Sequence, residues 1–244
     1  SAPMKLKVYA FTDSTVSVTK AGVAVDSQTI TAGNGHTFTI NDLASYEMSS
    51  TGYIVAFSYA NAAGGFYDPT PLLPASKDII GFPSSKGMTT TGTKANNFVA
   101  EHSNGSIQNG VLTAGATLAI NPQGTSSLYA SQSLRIRADE PIMAVSNADS
   151  DGYCQAPFVP VSMLKKKFAI NAQSEWVALA SDRPVTVTIT KPDLTTTTVT
   201  LTRTGSGAKT PYKAYINTVY PEGTTFEGDD VFQAWYQPYT TTYS

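Results

Sequence analysis

The chain has 244 residues and a formal net charge of −2, and only 14% of its residues are charged, against about 25% in typical soluble proteins. A nucleic-acid-binding protein normally carries a basic domain with clustered Lys and Arg. The basic run here is Lys165-Lys166-Lys167, which suits a solvated strand edge. Composition therefore argues against nucleic acid as the partner.

Cysteine usage and apolar patterning point to the compartment. Cys154 is the only cysteine, so an intrachain disulfide cannot form. Small secreted domains usually carry disulfides, and their absence favours folding in a reducing cytosol. The sequence has neither an apolar run of about 18 residues or more nor a signal-peptide pattern at its start. We therefore expect a protein that is assembled inside a cell without membrane insertion.

The first third of the chain has the period-two alternation of β-strands. Residues 5–19 alternate around Val8 and Val16 and predict two strands joined by a turn. Residues 64–74 contain three prolines and two glycines, which predicts a long ordered loop because proline lacks a backbone donor. Further strands are predicted over the other alternating segments, residues 23–31, 36–41 and 54–60.

Residues 138–148 (ADEPIMAVSNA) form a strand that recurs along the chain. Ile142 and Ala144 lie on one face of this extended segment. Residues 52–60 (GYIVAFSYA) repeat it, and residues 230–236 (DVFQAWY) form a third, looser copy. The proline loops that follow the first two copies align as well, through the pairs Pro71 and Pro157, Pro74 and Pro160, and Phe82 and Phe168.

These repeats predict an all-β fold of tandem Ig-like β-sandwich modules with antiparallel sheets. We assign three modules, residues 1–90, 91–172 and 173–244, the second being an internal repeat of the first. In the third, the Thr-rich residues 195–202 favour a strand because they are β-branched on both faces. Modules of roughly 80 residues bury only about 60–65% of their unfolded surface, so packing between neighbours would add stability.

Few residues suggest chemistry. His36 and His102 are the only histidines, and without a nucleophile elbow or nearby ligand spacing they predict neither a hydrolase triad nor a zinc site. Asp149 and Asp151 resemble the start of a calcium loop but lack its later oxygen ligands, so we interpret them as a turn. We expect no enzymatic activity, no metal and no cofactor.

Aromatic residues are dense at the end of the chain. Trp235, Tyr236 and Tyr239 form a ladder that extends past Pro238. Aromatic rings with polar tips are enriched in protein–protein interfaces. We predict that these three residues contact another subunit.

Aromatic residues also occur in both proline loops: Phe66, Tyr67 and Tyr153. Two interpretations of these rings stay open at this point. In one, the rings lie under the loops and fill small cores. In the other, they are exposed and stack on sugars, which would make the chain a surface adhesin or a glycan-binding array.

The repeated segment supports a resemblance. Residues 138–160 combine a polar turn ending in Pro, an Ile/Val strand, a Ser/Asn exit, a proline loop and a new strand. This order resembles the repeats of IgGFc-binding-protein N-terminal-type β-domains, and residues 181–188 share the likeness. The closing residues 229–239 (DDVFQAWYQPY) resemble the ends of structural proteins of marine tailed phages, such as cyanophages. The phage resemblance implies a particle component, and neither resemblance implies a catalytic residue.

Two hypotheses follow from the sequence and these resemblances. In the first, the chain is a non-enzymatic structural component of a phage virion, such as a surface decoration, fibre or tail accessory protein. It would assemble in the host cytoplasm as a homo-oligomer, contact other virion proteins and have a host-surface glycan as a further candidate partner. In the second, the chain is an adhesin or glycan-binding module array on an extracellular surface.

Overall fold

A computed structural model describes residues 4–40, 46–62, 65–66, 70–83, 88–120, 132–147 and 155–238. Strands account for 65% of the structure and helix for 2%. Every strand pair described is antiparallel, and the strands form several separate sheets. The predicted all-β, sandwich-like class with antiparallel sheets is therefore confirmed.

The first group of strands forms two facing sheets. Its strands are β1 (Met4–Ala10), β2 (Ser14–Lys20), β3 (Val23–Ile30), β4 (Gly35–Ile40), β5 (Tyr46–Ser50), β6 (Ile54–Ala62), β7 (Gly65–Phe66) and β8 (Thr70–Pro71). One sheet has the order β4-β1-β6, with β7 and β8 pairing on β6, and the other has the order β3-β2-β5. Alternate residues such as Val8, Val16 and Phe38 are buried between the sheets, as expected when one face of each strand lies on the core.

The second group contains β9 (Ser76–Gly81), β10 (Met88–Gly92), β11 (Asn96–His102), β12 (Ile107–Leu112), β13 (Thr117–Ile120), β14 (Leu134–Asn147), β15 (Gln155–Pro157) and β16 (Val159–Pro160). All eight join one continuous hydrogen-bonded sheet around β14. The core of this group includes Ile136, Ile142 and Phe158.

The third group contains β17 (Lys165–Ala169), β18 (Ser174–Ser181), β19 (Thr186–Thr190), β20 (Thr196–Thr200), β21 (Tyr212–Ile216) and β22 (Thr225–Pro238). They join through the order β20-β19-β22-β18-β21, and β17 pairs with β22. Val177, Val187 and Phe232 are completely buried in its core.

The strand that contains residues 138–147 is longer than its sequence pattern predicts, because it begins at Leu134 and crosses between two sets of neighbours. β14 pairs with β11 as far as Ala138 and with β10 from Ile142 onwards. Pro141 lies in the interval between these two ladders. Its missing N–H therefore removes no hydrogen bond from these ladders, and the strand continues through a residue that normally ends one.

The same crossing occurs in all three groups. β22 pairs with β19 as far as Gly228 and with β18 beyond Phe232. In the first group, β5 pairs with β2 and β6 pairs with β1, and the turn at residues 51–53 separates the two strands. β14, β22 and the β5–β6 pair are therefore versions of one long strand that serves both layers of a module.

The recurring segments occupy equivalent positions. Ile54 lies opposite Ala10, the last residue of β1, and Ile142 lies opposite Gly92, the last residue of β10. The proline loops return to the same place, since Leu72 N–H donates to the Ala56 carbonyl and Phe158 N–H donates to the Ala144 carbonyl, both at 2.9 Å.

Linker strands connect the groups. β9 precedes residue 90 in the chain, yet it pairs with β14. β17 precedes residue 173 and pairs with β22. The division into modules at residues 90 and 173 stays a prediction. The strand that precedes each of these positions, β9 or β17, hydrogen-bonds into the sheet of the following group.

Candidate interaction surfaces

Trp235 lies at the junction between the second and third groups of strands. Its ring stacks on Phe82 with centroids 5.8 Å apart and meets Trp176 edge to face at 5.2 Å. Phe82 follows β9, whereas Trp176 lies on β18. Aromatic pairs of this geometry contribute about 0.5–1.5 kcal/mol beyond the area they bury. Trp235 therefore contacts the other group within the same chain, and its predicted role between subunits stays a prediction.

The junction has an apolar centre because β18 is covered on both faces. Val177 and Leu179 face the core of the third group, whereas Ala178 and Ala180 face the second group. The residues that meet at the junction are buried Ile80, Phe82, Leu164, Trp176, Ala178 and Ala180. A sheet that is apolar on both faces needs a cover on each, and the second group supplies one of them.

Tyr236 points to the opposite side of β22 from Trp235. It packs partly buried against the core of the third group, and its hydroxyl donates to Asn171 Oδ1. Tyr239, the third residue of the predicted interface, lies outside the described residues.

The candidate glycan-contact residues lie in segments of which little is described. Phe66 belongs to β7 and lies opposite Asn61 of β6 in the antiparallel ladder. Tyr67 and Tyr153 lie outside the described residues. The predicted sugar contacts of these three residues stay a prediction.

A buried ionic group borders the apolar junction. The Arg135 guanidinium donates from Nε to Asp78 Oδ1 at 2.8 Å and from Nη2 to Asp78 Oδ2 at 2.5 Å. Asp182 directly follows β18 of the third group, and its Oδ2 lies 3.8 Å from Arg135 Nη2. Burial alone would lower the pKa of Arg135, but the bond to Asp78 and the charges of Asp78, Asp182 and Glu101 outweigh it, so this pKa lies above its ordinary value.

Backbone contacts extend the junction at its other end. The N–H groups of Thr204 and Gly205 both donate to the Ser103 carbonyl at 3.0 Å, and Gly105 and Gly205 approach so closely that a Cβ on Gly105 would lie 2.9 Å from the Gly205 Cα. Only residues without side chains allow this approach. Nearby His102 is buried with no hydrogen-bond partner at Nδ1 in the described structure, and burial lowers its pKa.

Three loops at one end of the first group form a closely hydrogen-bonded platform. Phe11 N–H donates to the Tyr53 carbonyl at 2.8 Å, and Gly33 N–H donates to the Ala10 carbonyl at 2.8 Å. Tyr53 N–H donates to Thr12 Oγ1 at 3.0 Å. Gly52 fits against these loops because it has no side chain, since a Cβ there would lie 2.5 Å from Thr12 Oγ1. The bonds hold the loop backbones in fixed positions.

This platform carries exposed rings. Tyr53 is 80% exposed, Phe11 70% and Tyr9 40%. The Lys7 ammonium lies 5.1 Å from the centre of the Tyr9 ring, and that ring lies over Gly35. Exposed aromatic side chains on an ordered backbone are the usual composition of a binding surface. We call Tyr9, Phe11 and Tyr53 the aromatic platform.

The sequence contained a signal for this surface. Val8 and Ala10 alternate as core residues, so Tyr9 had to face outwards, and Phe11 and Tyr53 lie in turns beyond the ends of strands. An aromatic residue in a turn has no strand face to bury it. What alternation does not reveal is that the turns of β1 and β6 meet, because that depends on which strands pair.

Within the described residues, neither a group of metal-ligating side chains nor a helix long and apolar enough to span a membrane is present. In comparisons with known proteins, no family model matches the chain and no curated protein matches it.

Proposed function

We propose that the chain is a structural component of a multi-protein particle and that it works by protein–protein contact rather than by catalysis. In its more specific form, the proposal follows the resemblance of residues 229–239 to structural proteins of marine tailed phages, and the particle is a phage virion. The chain would then be a surface decoration, a fibre or a tail accessory protein that associates with itself and with other virion proteins.

The aromatic platform is the observation that carries the proposal. It presents the exposed rings of Phe11 and Tyr53 on loop backbones that hydrogen-bond to each other, and that of Tyr9 at the end of β1. Because ordering loops and side chains on association costs free energy, a surface that is already ordered binds more tightly. Tyr is among the residue types that dominate the binding energy of interfaces, and Phe is enriched in interface cores.

The junction between the second and third groups supports the same proposal. An apolar cluster, the ionic contact of Arg135 with Asp182 and backbone bonds to Ser103 join the two groups into one unit. A rigid unit keeps a fixed distance between its ends, as a component that spaces other subunits must do. Linked domains with small polar interfaces move relative to one another by default.

The test combines changes in the platform with a measurement of native mass. We expect the native chain to sediment as an oligomer, and the Phe11→Ala and Tyr53→Ala double variant to sediment as a monomer with an unchanged melting temperature. Val219→Ala removes an exposed apolar side chain elsewhere and should leave the oligomer intact. A native chain that stays monomeric alone and with the other proteins of its particle would refute the proposal.

The exposed rings also favour the alternative function, a surface adhesin that reads glycans, because the C–H groups of a sugar ring pack on the face of an aromatic ring. The same variants separate the two functions. If Phe11→Ala abolishes binding on a glycan array while the native mass is unchanged, the adhesin function is correct. If the native mass falls and the native chain binds no glycan, the structural function is correct.

A further inference from the structure

The first half of the long strand is paired on both edges in two of the three groups. β14 pairs with β11 on one edge and with the linker strand β9 on the other. β22 pairs with β19 on one edge and with the linker strand β17 on the other. The corresponding strand of the first group is β5, which pairs with β2. Within the described residues, no strand pairs with the other edge of β5.

Each linker strand places a large apolar residue opposite a core residue of the long strand. Ile79 of β9 lies opposite Ile136, and Phe168 of β17 lies opposite Phe226. Ile79 belongs to the core cluster of the second group, and Phe168 packs against that of the third. Ile136 and Phe226 are both completely buried, at 0% exposure. The linker strand therefore completes the cover over this core position.

Met48 occupies the same position in the first group. It lies six residues before Ile54, just as Ile136 lies six before Ile142 and Phe226 six before Phe232. Met48 faces the core but is only partly buried. The first group thus has an incompletely covered core residue at the position where the other two groups receive a linker strand.

The backbone of β5 is oriented to accept a strand. Thr51 N–H donates to the Thr15 carbonyl on β2 at 3.1 Å. Because alternate residues of a strand direct their backbone groups to opposite edges, the groups of Glu47 and Ser49 point to β2 and those of Met48 and Ser50 point to the other edge. Unpaired strand edges are templates for the addition of another strand.

We propose that this edge of β5 binds an extended segment of another polypeptide chain, which places a large aliphatic or aromatic residue opposite Met48. The segment has the chemistry of β9 and β17. A basic residue suits it because the exposed Glu47 carboxylate lies on the outer face of β5, and opposite charges attract across neighbouring strands, as Lys167 and Glu227 do at 3.0 Å across β17 and β22. With Phe168 opposite Met48, Lys167 would lie diagonally across from Glu47 on the same face, which a long side chain can reach. The proposal concerns a surface distinct from the aromatic platform and holds whether or not the chain belongs to a virion.

The test uses a peptide with the sequence of residues 163–171 (MLKKKFAIN), which contains β17. We expect its addition to slow hydrogen exchange at the amides of Met48 and Ser50 by about tenfold or more, because these amides become hydrogen-bonded. The same peptide carrying Phe168→Asp should give no protection, since it would place a carboxylate against the core.

Variants of the whole chain locate the site. Met48→Lys puts a charge at the core-facing position of the edge and should abolish peptide binding. Val111→Lys changes an exposed residue on β12, another strand at the end of a sheet, and should leave binding unchanged. If Met48→Lys proves unfolded, Glu47→Lys serves instead, because this exposed residue lies outside the core and its reversal should weaken binding of the basic peptide about tenfold.

Three results would overturn the proposal. The first is the absence of protection at Met48 and Ser50 with saturating peptide. The second is equal binding of the native and Met48→Lys chains, which would place the peptide elsewhere. The third is slow exchange of these two amides in the chain alone, at every concentration, because the edge would then be closed within the molecule. None of these outcomes depends on the oligomer measured for the aromatic platform.

Discussion

Replacement of Ile142 by Ala tests whether the long strand is central to the fold. Ile142 is 1% exposed and lies in the core of the second group. The change removes three carbons, each worth about 0.8 kcal/mol on burial, and leaves a cavity that adds to the cost. We expect the free energy of unfolding to fall by about 3–4 kcal/mol, within the range of about 2–5 kcal/mol for such changes.

Thermal and urea denaturation, followed by circular dichroism, measure this loss. For a chain of this size, about 3 kcal/mol corresponds to a fall in Tm of roughly 6–12 °C. Ile107→Ala is the matched control, because the same side chain on β12 is 57% exposed and its removal should change stability by less than about 0.5 kcal/mol. Ile54→Ala, at the equivalent but only partly buried position, should give an intermediate loss. Equal losses at Ile142 and Ile107 would show that burial of Ile142 in the long strand does not stabilise the fold.

Three further predictions concern the junction. Trp235→Ala should separate one cooperative unfolding transition into two, because Phe82 loses its stacking partner, and a single unchanged transition by calorimetry would contradict this. Asp78→Ala should lower the free energy of unfolding by about 2–3 kcal/mol, less than the loss for a fully buried ion pair, because Asp78 is one-third exposed. The double variant Asp78→Leu and Arg135→Met should recover most of this loss, as measured by urea denaturation. The pKa of His102 is lowered in the folded chain, so at acidic pH the unfolded chain binds a proton at this imidazole more readily than the folded chain does. The contribution of neutral His102 to stability should therefore be fully present above about pH 6.5 and decrease as the pH falls below it. The urea midpoint at pH 7.5 and pH 5.5 measures this, and His102→Asn should reduce the difference, whereas an unchanged difference would show that other groups cause it.

Local alternation predicted much of the fold. The burial of Ile142 and Ala144 on one face and the strand over residues 54–60 follow from the period of the sequence, since side chains of a strand alternate between faces. The alignment of Pro71 with Pro157 follows from composition, because prolines exclude most strand positions. Both prolines pair at the same point of their long strands, opposite Phe57 and Val145.

The partners of each strand were not predictable in the same way. Alternation identifies the face that is buried but not the neighbour that covers it. The crossing of β14 at Pro141 and the pairing of β9 with β14 rest on contacts far apart in the chain. For the same reason, the sequence could identify Trp235 as a residue that needs a partner, but it could not tell a contact within the chain from one between subunits.

We expect the native chain to build an assembly through protein–protein contact. A negative-stain electron microscopy image of the native assembly, taken from purified particles or from the purified chain, tests it most directly. We expect regular assemblies in which subunits meet at the end of the first group that carries Phe11 and Tyr53. Fields of isolated single chains, with the protein absent from purified particles, would contradict it.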